Sequence, residues 1–342
     1  MKPAIATVCS HSSLQIFHGA KKEGIKTIGI CLKAPPKFYD AFPLAKPDEF
    51  FVIDSYQDLL KPEVAKKLKA KGAVIIPHGS FVEYMGAQSF KKLTIPVYGN
   101  KAVLDWESDR QKGRQWLEGA GLLMPREIKD PRDIKGPVIV KYHGAKGGKG
   151  FFIAKTKEEF DKYLDRSQPY TIQEFISGAR FYFHYFYSPV KAKGYTLSKG
   201  TLELLSMDRR VESDIDEIFK LGSPSELEKA GIVPGFTVTG NIQLVLRESL
   251  LPKVMDMGAK VVETSLKLFG GLWGPFCLEC IIDKDLNIYV FEISARIVAG
   301  TNIAVPNSPY SAFIQDDLTT GRRMAQEIKQ AAKLGKLDEI LT

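Results

Sequence analysis

The sequence contains no long apolar run and few cysteines. Its 342 residues include no stretch of about 18 consecutive apolar residues, so we expect no membrane-spanning helix and no membrane partner. The opening stretch, MKPAIATVCS, is expected to be a strand rather than a signal peptide. Four cysteines in a chain of this length do not make a disulfide framework. The sequence therefore favours a cytoplasmic protein.

The sequence also lacks the pattern of a zinc or redox site. Cys277 and Cys280 spell C-x-x-C, but residues three apart on a strand point to opposite faces. No second C-x-x-C or histidine pair completes a site. These two cysteines are therefore expected to be buried strand residues.

A block of basic residues is likewise missing, although the formal net charge is +8. A basic balance favours anionic partners. Because the lysines and arginines are spread along the chain and no nucleic-acid motif is present, we expect small phosphorylated ligands rather than nucleic acid.

The N-terminal third alternates between strands and helices. Strands are predicted at 3–9, 25–32 and 73–76, and helices at 14–22 and 63–71. Such alternation is typical of a parallel α/β sheet. With 44% hydrophobic residues, the chain is expected to bury a substantial core in two or three lobes. A helix predicted over 100–119 would connect this unit to the rest.

Two turns of that sheet carry hydroxyl and imidazole groups. Residues 10–13 follow the first strand, and residues 78–80 follow the strand that ends near Ile76. Ligands of open α/β sheets bind at the carboxyl ends of the strands, where helix N-termini favour phosphate. Ordinary helix capping is the alternative for residues 10–13. Two such turns in one sheet nevertheless favour a phosphate-binding pocket.

A glycine-rich loop joins two predicted strands in the middle of the chain. The strand 137–142 contains Lys141, and HGAKGGKG separates it from the strand 151–155. The Walker spacing is absent and no helix follows, so this is not a P-loop. A glycine hairpin can still fold N–H groups over phosphates, with Lys141, Lys146 and Lys149 supplying charge. The alternative is a loose hairpin that exposes its lysines.

Two predicted strands near the C-terminus each carry one acid in an otherwise apolar run. Glu279 lies in the strand 276–282 and Glu292 in the strand 288–294. Arg296 follows, and its guanidinium is suited to a phosphoryl group. Mg²⁺ is usually held by one or two carboxylates plus substrate phosphates. The hairpin therefore predicts a metal site beside phosphate.

The register of this hairpin decides whether the two acids meet. With a four-residue loop at 284–287, Ile282 pairs with Tyr289 and Glu279 lies opposite Glu292, whereas an odd loop sends the acids to opposite faces. Opposed carboxylates repel each other, and a divalent cation would remove the conflict. The alternative is a sheet face open to water, on which both acids are merely solvated.

The ordered set of these parts resembles the ATP-grasp superfamily. A strand lysine, a glycine loop, a strand at 173–176 and an acid hairpin ending in Glu292-x-Ser294-x-Arg296 follow one another, and the resemblance covers residues 122–302. Four stretches look like the archaeal PurP family: IATVCSHSSLQIFHGAKKEG, IIPHGSFVEYMG, VKYHGAKGGKGFF and FEISARIVAGTN. Members of that family are formate-dependent synthetases of purine biosynthesis. This closer likeness runs the whole length of the chain.

The resemblance implies a mixed α/β and α+β fold with three parts. An N-terminal parallel α/β domain (1–99) would precede a two-lobed ATP-grasp fold, made of a connector helix with the small lobe (100–188) and a large lobe with a helical tail (189–342). ATP would lie between the two lobes as a co-substrate, with Mg²⁺, or alternatively Mn²⁺, on its phosphates.

The resemblance also assigns residues to ligands. His11, Ser80 and Asn241 would contact the substrate 5-aminoimidazole-4-carboxamide ribonucleotide (AICAR). The ATP contacts would be Lys141, Gly144, Lys146, Gly147, Gly148, Lys149, Gly150, Glu174, Phe175, Ile176, and a polar residue among Asp208, Arg209 and Glu212. Lys141 and Arg296 would be catalytic, and Glu279 and Glu292 would bind the metal. Ser294 stands where many ATP-grasp members have Asn, which leaves two protein ligands for the metal.

The implied reaction explains why these parts occur together. Formate acylates poorly because its leaving group would be oxide, whereas formyl phosphate made from ATP releases phosphate. The AICAR amine would then attack, and positioning and charge neutralisation would do the rest. A related ligase with another acid and amine, or a nucleotide- or RNA-binding protein without catalysis, are the alternatives. The acid pair and Arg296 argue against a binding protein without catalysis. A homo-oligomer is left open.

Overall fold

The described part of the chain folds into three β-sheets with helices packed against them. The computed structural model describes residues 2–142, 150–212, 238–298 and 307–342. Within these ranges, no helix combines the length and the apolar composition that a bilayer crossing requires. The strands are β1 Ala4–Val8, β2 Thr27–Leu32, β3 Glu49–Ile53, β4 Ala73–Ile75, β5 Glu127–Ile128, β6 Val138–Tyr142, β7 Phe151–Ala154, β8 Tyr170–Glu174, β9 Ala179–Ser188, β10 Tyr195–Thr196, β11 Thr201–Glu212, β12 Val238–Leu244, β13 Gly274–Ile282 and β14 Ile288–Ser294.

Helices separate or flank most of these strands. The α-helices are α1 Ser13–Lys22, α2 Pro62–Ala70, α3 Gly79–Met85, α4 Ala87–Lys91, α5 Val103–Ser108, α6 Arg110–Gly119, α7 Lys157–Tyr163, α8 Leu251–Phe269, α9 Pro309–Ala312 and α10 Thr320–Leu334. Short 3-10 helices occupy Lys37–Ala41, Tyr56–Leu60, Pro131–Asp133, Glu248–Leu250 and Leu337–Glu339.

The first sheet is the parallel α/β unit that the sequence predicts at the N-terminus. Its four strands are parallel and follow the order β3-β2-β1-β4. All five residues of β1 are buried, as is typical of a central parallel strand covered on both faces. Val97 continues the sheet beyond β4. The Val97 N–H donates to the Thr342 carbonyl at 3.0 Å, and the Thr342 N–H donates back at 2.9 Å, so the C-terminal residues close this edge.

The second sheet is small and antiparallel, with strand order β5-β8-β6-β7. Strand β6 alternates between buried and half-buried residues. Val138 and Val140 face a separate small core that includes Phe160 and Ile172. Lys141, on the opposite face of β6, is thereby directed away from that core.

The third sheet has six strands and supplies most of the polar groups discussed below. Its order is β10-β11-β9-β13-β14, and β12 also pairs with β11. One face packs on α8, where the Tyr185 hydroxyl donates to the Val254 carbonyl at 2.8 Å. The aromatic run of β9 therefore contributes to the core, with Phe183, Tyr185 and Tyr187 buried. Cys277 and Cys280 are buried free thiols on β13, which confirms their predicted structural place.

Two predicted boundaries differ from the observed elements. Strand β9, which the predicted division at residue 188 places in the small lobe, pairs with β11 and β13 of the third sheet. Sheet membership therefore favours a division near residue 178. The single connector helix predicted over 100–119 is two helices, α5 and α6. Asp109 between them is extended, and its side chain accepts hydrogen bonds from the Gln111 and Lys112 N–H groups.

The C-terminal helix α10 connects the first sheet to the third. Arg323 of α10 is buried, and its guanidinium donates to Glu203 of β11 at 2.6 Å and to Glu327 at 2.9 Å. Ser188 of β9 donates to the other Glu327 oxygen at 2.6 Å. The charges of this buried set compensate one another. Removing one partner would leave an uncompensated buried charge.

Helix α10 also crosses α1 at a contact that only glycine allows. A Cβ atom at Gly19 of α1 would overlap the backbone of Gly321 and Arg322, and a Cβ atom at Gly321 would overlap the Gln15 carbonyl. The two helix backbones therefore touch directly at this crossing.

We predict that Gly19→Ala lowers the free energy of unfolding by about 1–3 kcal/mol, because the methyl group forces the two helices apart. Gly113→Ala in α6 is the matched control. Its Cβ would meet only the Trp106 carbonyl at an ordinary 3.5 Å. Because alanine favours a helix over glycine, this control should be neutral or stabilising by up to about 1 kcal/mol. Urea denaturation measures both, and equal stability of the two variants would contradict the crossing.

Candidate active site

The two acids of the C-terminal hairpin face each other. Glu279 of β13 pairs directly with Glu292 of β14, as the sequence analysis predicts. Directly opposed residues of an antiparallel pair lie on one face of the sheet. The Glu279 side chain is buried, whereas Glu292 opens onto the water of a cleft that protein surrounds. The alternative of two fully solvated surface acids therefore does not hold.

The hairpin reaches this register by a route that the sequence analysis does not predict. Ile282 pairs with Ile288 and not with Tyr289, so residues 283–287 form a five-residue loop. An odd loop alone would place the acids on opposite faces. Phe291 has no opposite residue, and this β-bulge adds back the missing step. The predicted loop is wrong, but the predicted acid pair is confirmed.

One arginine and one hydroxyl partly satisfy the buried acid. The Arg210 guanidinium donates to Glu279 Oε1 at 2.6 Å, and Ser294 Oγ donates to the same oxygen at 3.2 Å. The charge of Glu279, together with burial, raises the pKa of Glu292 to about 7. Ionising both carboxylates at once is therefore unfavourable unless a cation besides Arg210 binds next to them.

The acid pair lies at the wall of a deep cleft between the second and third sheets. The cleft has a volume of about 760 Å³, which is in the range of small-molecule sites. Apolar side chains such as Ile139, Ile153 and Phe175 line one part of it. Its basic residues are Arg110, Arg114, Lys141, Arg180 and Arg210. Five acidic residues line it as well, namely Glu107, Asp109, Glu127, Glu279 and Glu292. A cleft with apolar walls and charges of both signs is suited to a nucleoside polyphosphate that binds together with a cation.

Lys141 projects from β6 into this cleft, as the alternation of the strand requires. Its Nζ atom lies 6.0 Å from the centre of the Phe291 ring, beside the acid hairpin. Burial lowers the pKa of Lys141, while the nearby Glu292 charge opposes that effect. The structure thus brings the predicted strand lysine and the predicted acid pair to one cleft.

The predicted adenine strand is located at the end of β8. The Glu174 N–H donates to the Arg126 carbonyl at 2.9 Å, and the Phe175 N–H donates to the Pro137 carbonyl at 3.0 Å. Phe175 lines the cleft. Because both N–H groups are already engaged, an adenine contact here would use Ile176 or carbonyl oxygens.

The predicted polar contacts of β11 are distributed differently. Asp208 is fully buried, and its carboxylate accepts a hydrogen bond from His184 rather than lining the cleft. Arg209 is exposed on the opposite face from Arg210. Arg210, which the sequence analysis does not single out, is the β11 residue that lines the cleft.

Several predicted ATP contacts lie outside the described residues. They are Gly144, Lys146, Gly147, Gly148 and Lys149 of the glycine loop, and the side chain of Glu212. Gly150, the last glycine of that loop, lines the cleft, and its carbonyl accepts a hydrogen bond from the Tyr142 N–H at 2.8 Å.

The two predicted turns of the first sheet meet at the carboxyl ends of β1 and β4. Ser80 Oγ donates to Ser10 Oγ at 3.0 Å, which joins the turns directly. His11 is exposed beside them. Asn241 lies on β12 opposite Arg210, with its side-chain oxygen buried and unpaired among the described residues. No hydrogen bond within the described ranges joins Asn241 to the two turns.

His78 caps helix α3 and holds the two turns together. Its Nδ1 accepts a hydrogen bond from the Ser80 N–H at 3.3 Å, so its Nε2 donates to the Val8 carbonyl at 3.2 Å. Burial lowers the pKa of His78 to about 3, which keeps the ring neutral.

Arg296 links the acid hairpin to those turns. Its guanidinium donates to Glu107 of α5 at 2.7 Å and lies against Gly79. The second Glu107 oxygen accepts the Ala295 N–H at 2.8 Å. Burial raises the pKa of Glu107. Glu107 thus fixes the chain directly after the acid strand, and it lines the cleft itself.

Glu107 and Arg210 are the site residues that sequence reasoning misses. Glu107 lies in a helix with no local motif, and its partners Ala295 and Arg296 are far along the chain. Arg210 does have a signal, since it belongs to the polar stretch of β11. Arg210 lies two residues after the buried Asp208, so strand alternation places both side chains on the same face of the sheet.

Comparisons with known proteins place this chain in a family. Two family models match, a protein of unknown function (DUF1246) over residues 5–128 and a domain of unknown function (DUF1297) over residues 156–342. The 5-formaminoimidazole-4-carboxamide-1-(beta)-D-ribofuranosyl 5'-monophosphate synthetase of Methanosarcina acetivorans is 64% identical over 338 residues, covering 99% of this chain and 94% of that protein.

Solved structures also match this chain over most of its length. The crystal structure of an IMP biosynthesis protein PurP from Thermococcus kodakaraensis is 30% identical, with a TM-score of 0.75 and coverage of 99% of this chain and 100% of that chain. N5-carboxyaminoimidazole synthetase from Staphylococcus aureus, complexed with ADP, is 14% identical with a TM-score of 0.63. It covers 96% of this chain and 78% of that chain, a likeness of fold alone. The predicted ATP-grasp fold is confirmed.

We predict that the free protein loses stability as the pH rises from about 4.5 to about 7, through the titration of Glu292. The folded-state pKa of Glu292 is raised, so the folded state binds more protons than the unfolded state in this window. The free energy of unfolding must then fall with rising pH and level off above the window. Urea denaturation in the presence of a chelator, at several pH values, measures this.

Glu292→Gln should reduce that decline, while Asp338→Asn, at an exposed acid near the C-terminus, should leave it unchanged. The same pH dependence in the wild-type chain and the Glu292→Gln variant would show that the acid pair is not electrostatically strained.

Proposed function

The chain belongs to the PurP family of 5-formaminoimidazole-4-carboxamide ribonucleotide synthetases, and we propose on that premise that it formylates AICAR with formate and ATP. The products are the formamide FAICAR, ADP and phosphate. The observation that carries this proposal is the opposed acid pair, Glu279 and Glu292, at the wall of a cleft that lysine and arginine side chains also line. A binding protein without catalysis would have no need of two opposed carboxylates beside phosphate-binding groups.

The cleft supports binding of ATP between the second and third sheets. Lys141, Arg110 and Arg210 supply positive charge on three sides for the phosphates. The apolar part of the cleft, with Ile139 and Phe175, is suited to the adenine ring.

The acid pair is suited to Mg²⁺. Glu279 and Glu292 would hold it, since hard oxygen donors are what Mg²⁺ prefers and the strained pair gains most from a cation. Among the described residues no third carboxylate, cysteine or histidine joins them, so phosphate oxygens and water would complete the coordination. When bound, Mg²⁺ neutralises charge on the transferred phosphoryl group. Mn²⁺ has similar ligand preferences.

The chemistry runs in two steps. A formate oxygen attacks the γ-phosphorus of ATP, the bond to the bridging oxygen breaks, and ADP leaves. The AICAR amine then attacks the carbonyl carbon of formyl phosphate, a C–N bond forms, and phosphate leaves as the amine loses a proton. Lys141 and the arginines of the cleft stabilise the phosphoryl charge. Arg296, fixed by Glu107, orients the anions at the end of the acid strand.

The AICAR pocket is proposed at the joined turns of the first sheet. His11 and Ser80 supply an imidazole and a hydroxyl there, and Asn241 offers a buried oxygen from the third sheet. Arg296 lies against Gly79 of the second turn, so the chain that carries Glu292 leads directly to this pocket. The two substrates would thus meet at one end of the cleft.

The four thiols, all free, are consistent with the cytoplasm as the compartment.

We predict that the protein releases ADP only when ATP, Mg²⁺, formate and AICAR are all present. Coupled ADP detection and chromatography of FAICAR measure the two products. Acetate in place of formate, and other amines in place of AICAR, are the controls. Strong turnover with another acid or amine would identify a related ligase, and nucleotide binding without ADP release would refute the catalytic proposal.

Lys141→Ala should lower kcat/KM for ATP by about 10- to 100-fold, because a charged hydrogen bond to phosphate contributes about 1.5–3 kcal/mol. Lys135→Ala is the matched control, since Lys135 precedes the same strand but is exposed. It should leave kcat/KM within about twofold of the wild type. Equal effects of the two substitutions would show that Lys141 is only a surface charge.

A further inference from the structure

A histidine and an aspartate with no role in the mechanism above lie close to the acid pair. His184 of β9 and Asp208 of β11 are 5% and 0% exposed, and His184 Nε2 lies 2.9 Å from Asp208 Oδ2. Both project from the polar face of the third sheet. Asp208 pairs across the sheet with Tyr182, and Tyr182 pairs with Glu279. His184 is two residues from Tyr182, on the same face.

The hydrogen bond fixes the state of the imidazole. A carboxylate oxygen accepts, so Nε2 carries the proton and donates it. In the neutral ring, the other nitrogen, Nδ1, then carries the lone pair. A histidine held in this way by a buried carboxylate is the arrangement that general-base catalysis uses, because the carboxylate selects the tautomer and stabilises the ring when it gains a proton.

Three polar oxygen atoms in or near this dyad can still accept a hydrogen bond. Asp208 Oδ1, Ser206 Oγ and the Asn241 side-chain oxygen are buried and have no partner among the described residues. Ser206 and Asp208 are alternate residues of one strand, and Asn241 lies on the neighbouring strand β12. A buried acceptor without a donor is unfavourable, because it has lost its hydrogen bonds to water. Three of them on one face are suited to a ligand that brings N–H and O–H donors, as AICAR does with its amine, carboxamide and ribose.

The dyad is also on the side of the acid pair that the two turns approach. Cys277 pairs with His184 on one strand and with Ser294 on the other. Val298 packs in one cluster with Tyr182 and Cys277, and its carbonyl accepts a hydrogen bond from Ser12 Oγ at 3.3 Å. The turn at residues 10–13 therefore reaches the sheet next to the dyad.

We propose that His184, held by Asp208, takes the proton that the AICAR 5-amino group loses as it attacks formyl phosphate. This rests on the proposed function. The C–N bond forms, the bond from the formyl carbon to the phosphate oxygen breaks, and phosphate leaves with the electron pair. The amine proton passes to Nδ1 of His184 and returns to solvent when the products leave. Because the amine is conjugated with the imidazole ring, it is a weak nucleophile and gains from a base.

The two half-reactions separate this role from a structural one. Formyl phosphate is trapped with hydroxylamine as formohydroxamate, in the presence of an AICAR analogue that lacks the 5-amino group. FAICAR formation is measured separately with AICAR. The ratio of the two rates within one protein sample does not depend on how much of a variant is folded, so partial misfolding cannot imitate the effect.

His184→Gln should lower FAICAR formation by at least about 100-fold while formohydroxamate formation stays within about threefold of the wild type. Asp208→Asn should lower the same ratio, because the amide no longer selects the tautomer. His18→Gln, at a histidine of α1 away from the third sheet, should leave the ratio unchanged. A loss of both half-reactions together, or of neither, would overturn the proposal. Failure of the wild-type protein to form either product would instead refute the proposed function.

Discussion

The repulsion between two carboxylates on one hairpin is the constraint on which the site depends. Glu279 and Glu292 face each other across β13 and β14, and each makes the ionisation of the other harder. Arg210 offsets part of the negative charge. Folding alone does not require this strain, because a polar uncharged pair would fit the same face. A bound divalent cation would relieve the strain, so the affinity for a cation and the electrostatics of the free protein are coupled.

Much of this could be predicted from the sequence because it depends on local periodicity. The parallel N-terminal sheet, the strand lysine and the acid pair all follow from alternation and from short turn signals. The acid pair is predicted correctly although the loop length is not. The observed loop has an odd number of residues, and the bulge at Phe291 restores the register. A bulge leaves no clear mark in composition, because its extra residue can be any side chain that the local twist accommodates.

The remaining features depend on contacts between distant segments. Glu107 has its effect through Ala295 and Arg296, and neither partner can be found from the helix that carries Glu107. The break at Asp109 shows the opposite case. There a capping side chain overrides a helical pattern that is otherwise continuous, and the signal was present but outweighed. Roles that rest on the glycine loop depend on residues outside the described ranges.

The pairing of Val97 with Thr342 has a consequence for how the chain folds during synthesis. The first sheet is made early, but the edge beside Val97 stays unpaired until residues 340–342 leave the ribosome. Helix α1 likewise lacks its packing partner until α10, which crosses it at Gly19 and Gly321, has been made. Contacts between segments so far apart in sequence form slowly, because long loops must close first. We therefore expect a nascent N-terminal unit to expose this sheet edge until the C-terminal segment has been made.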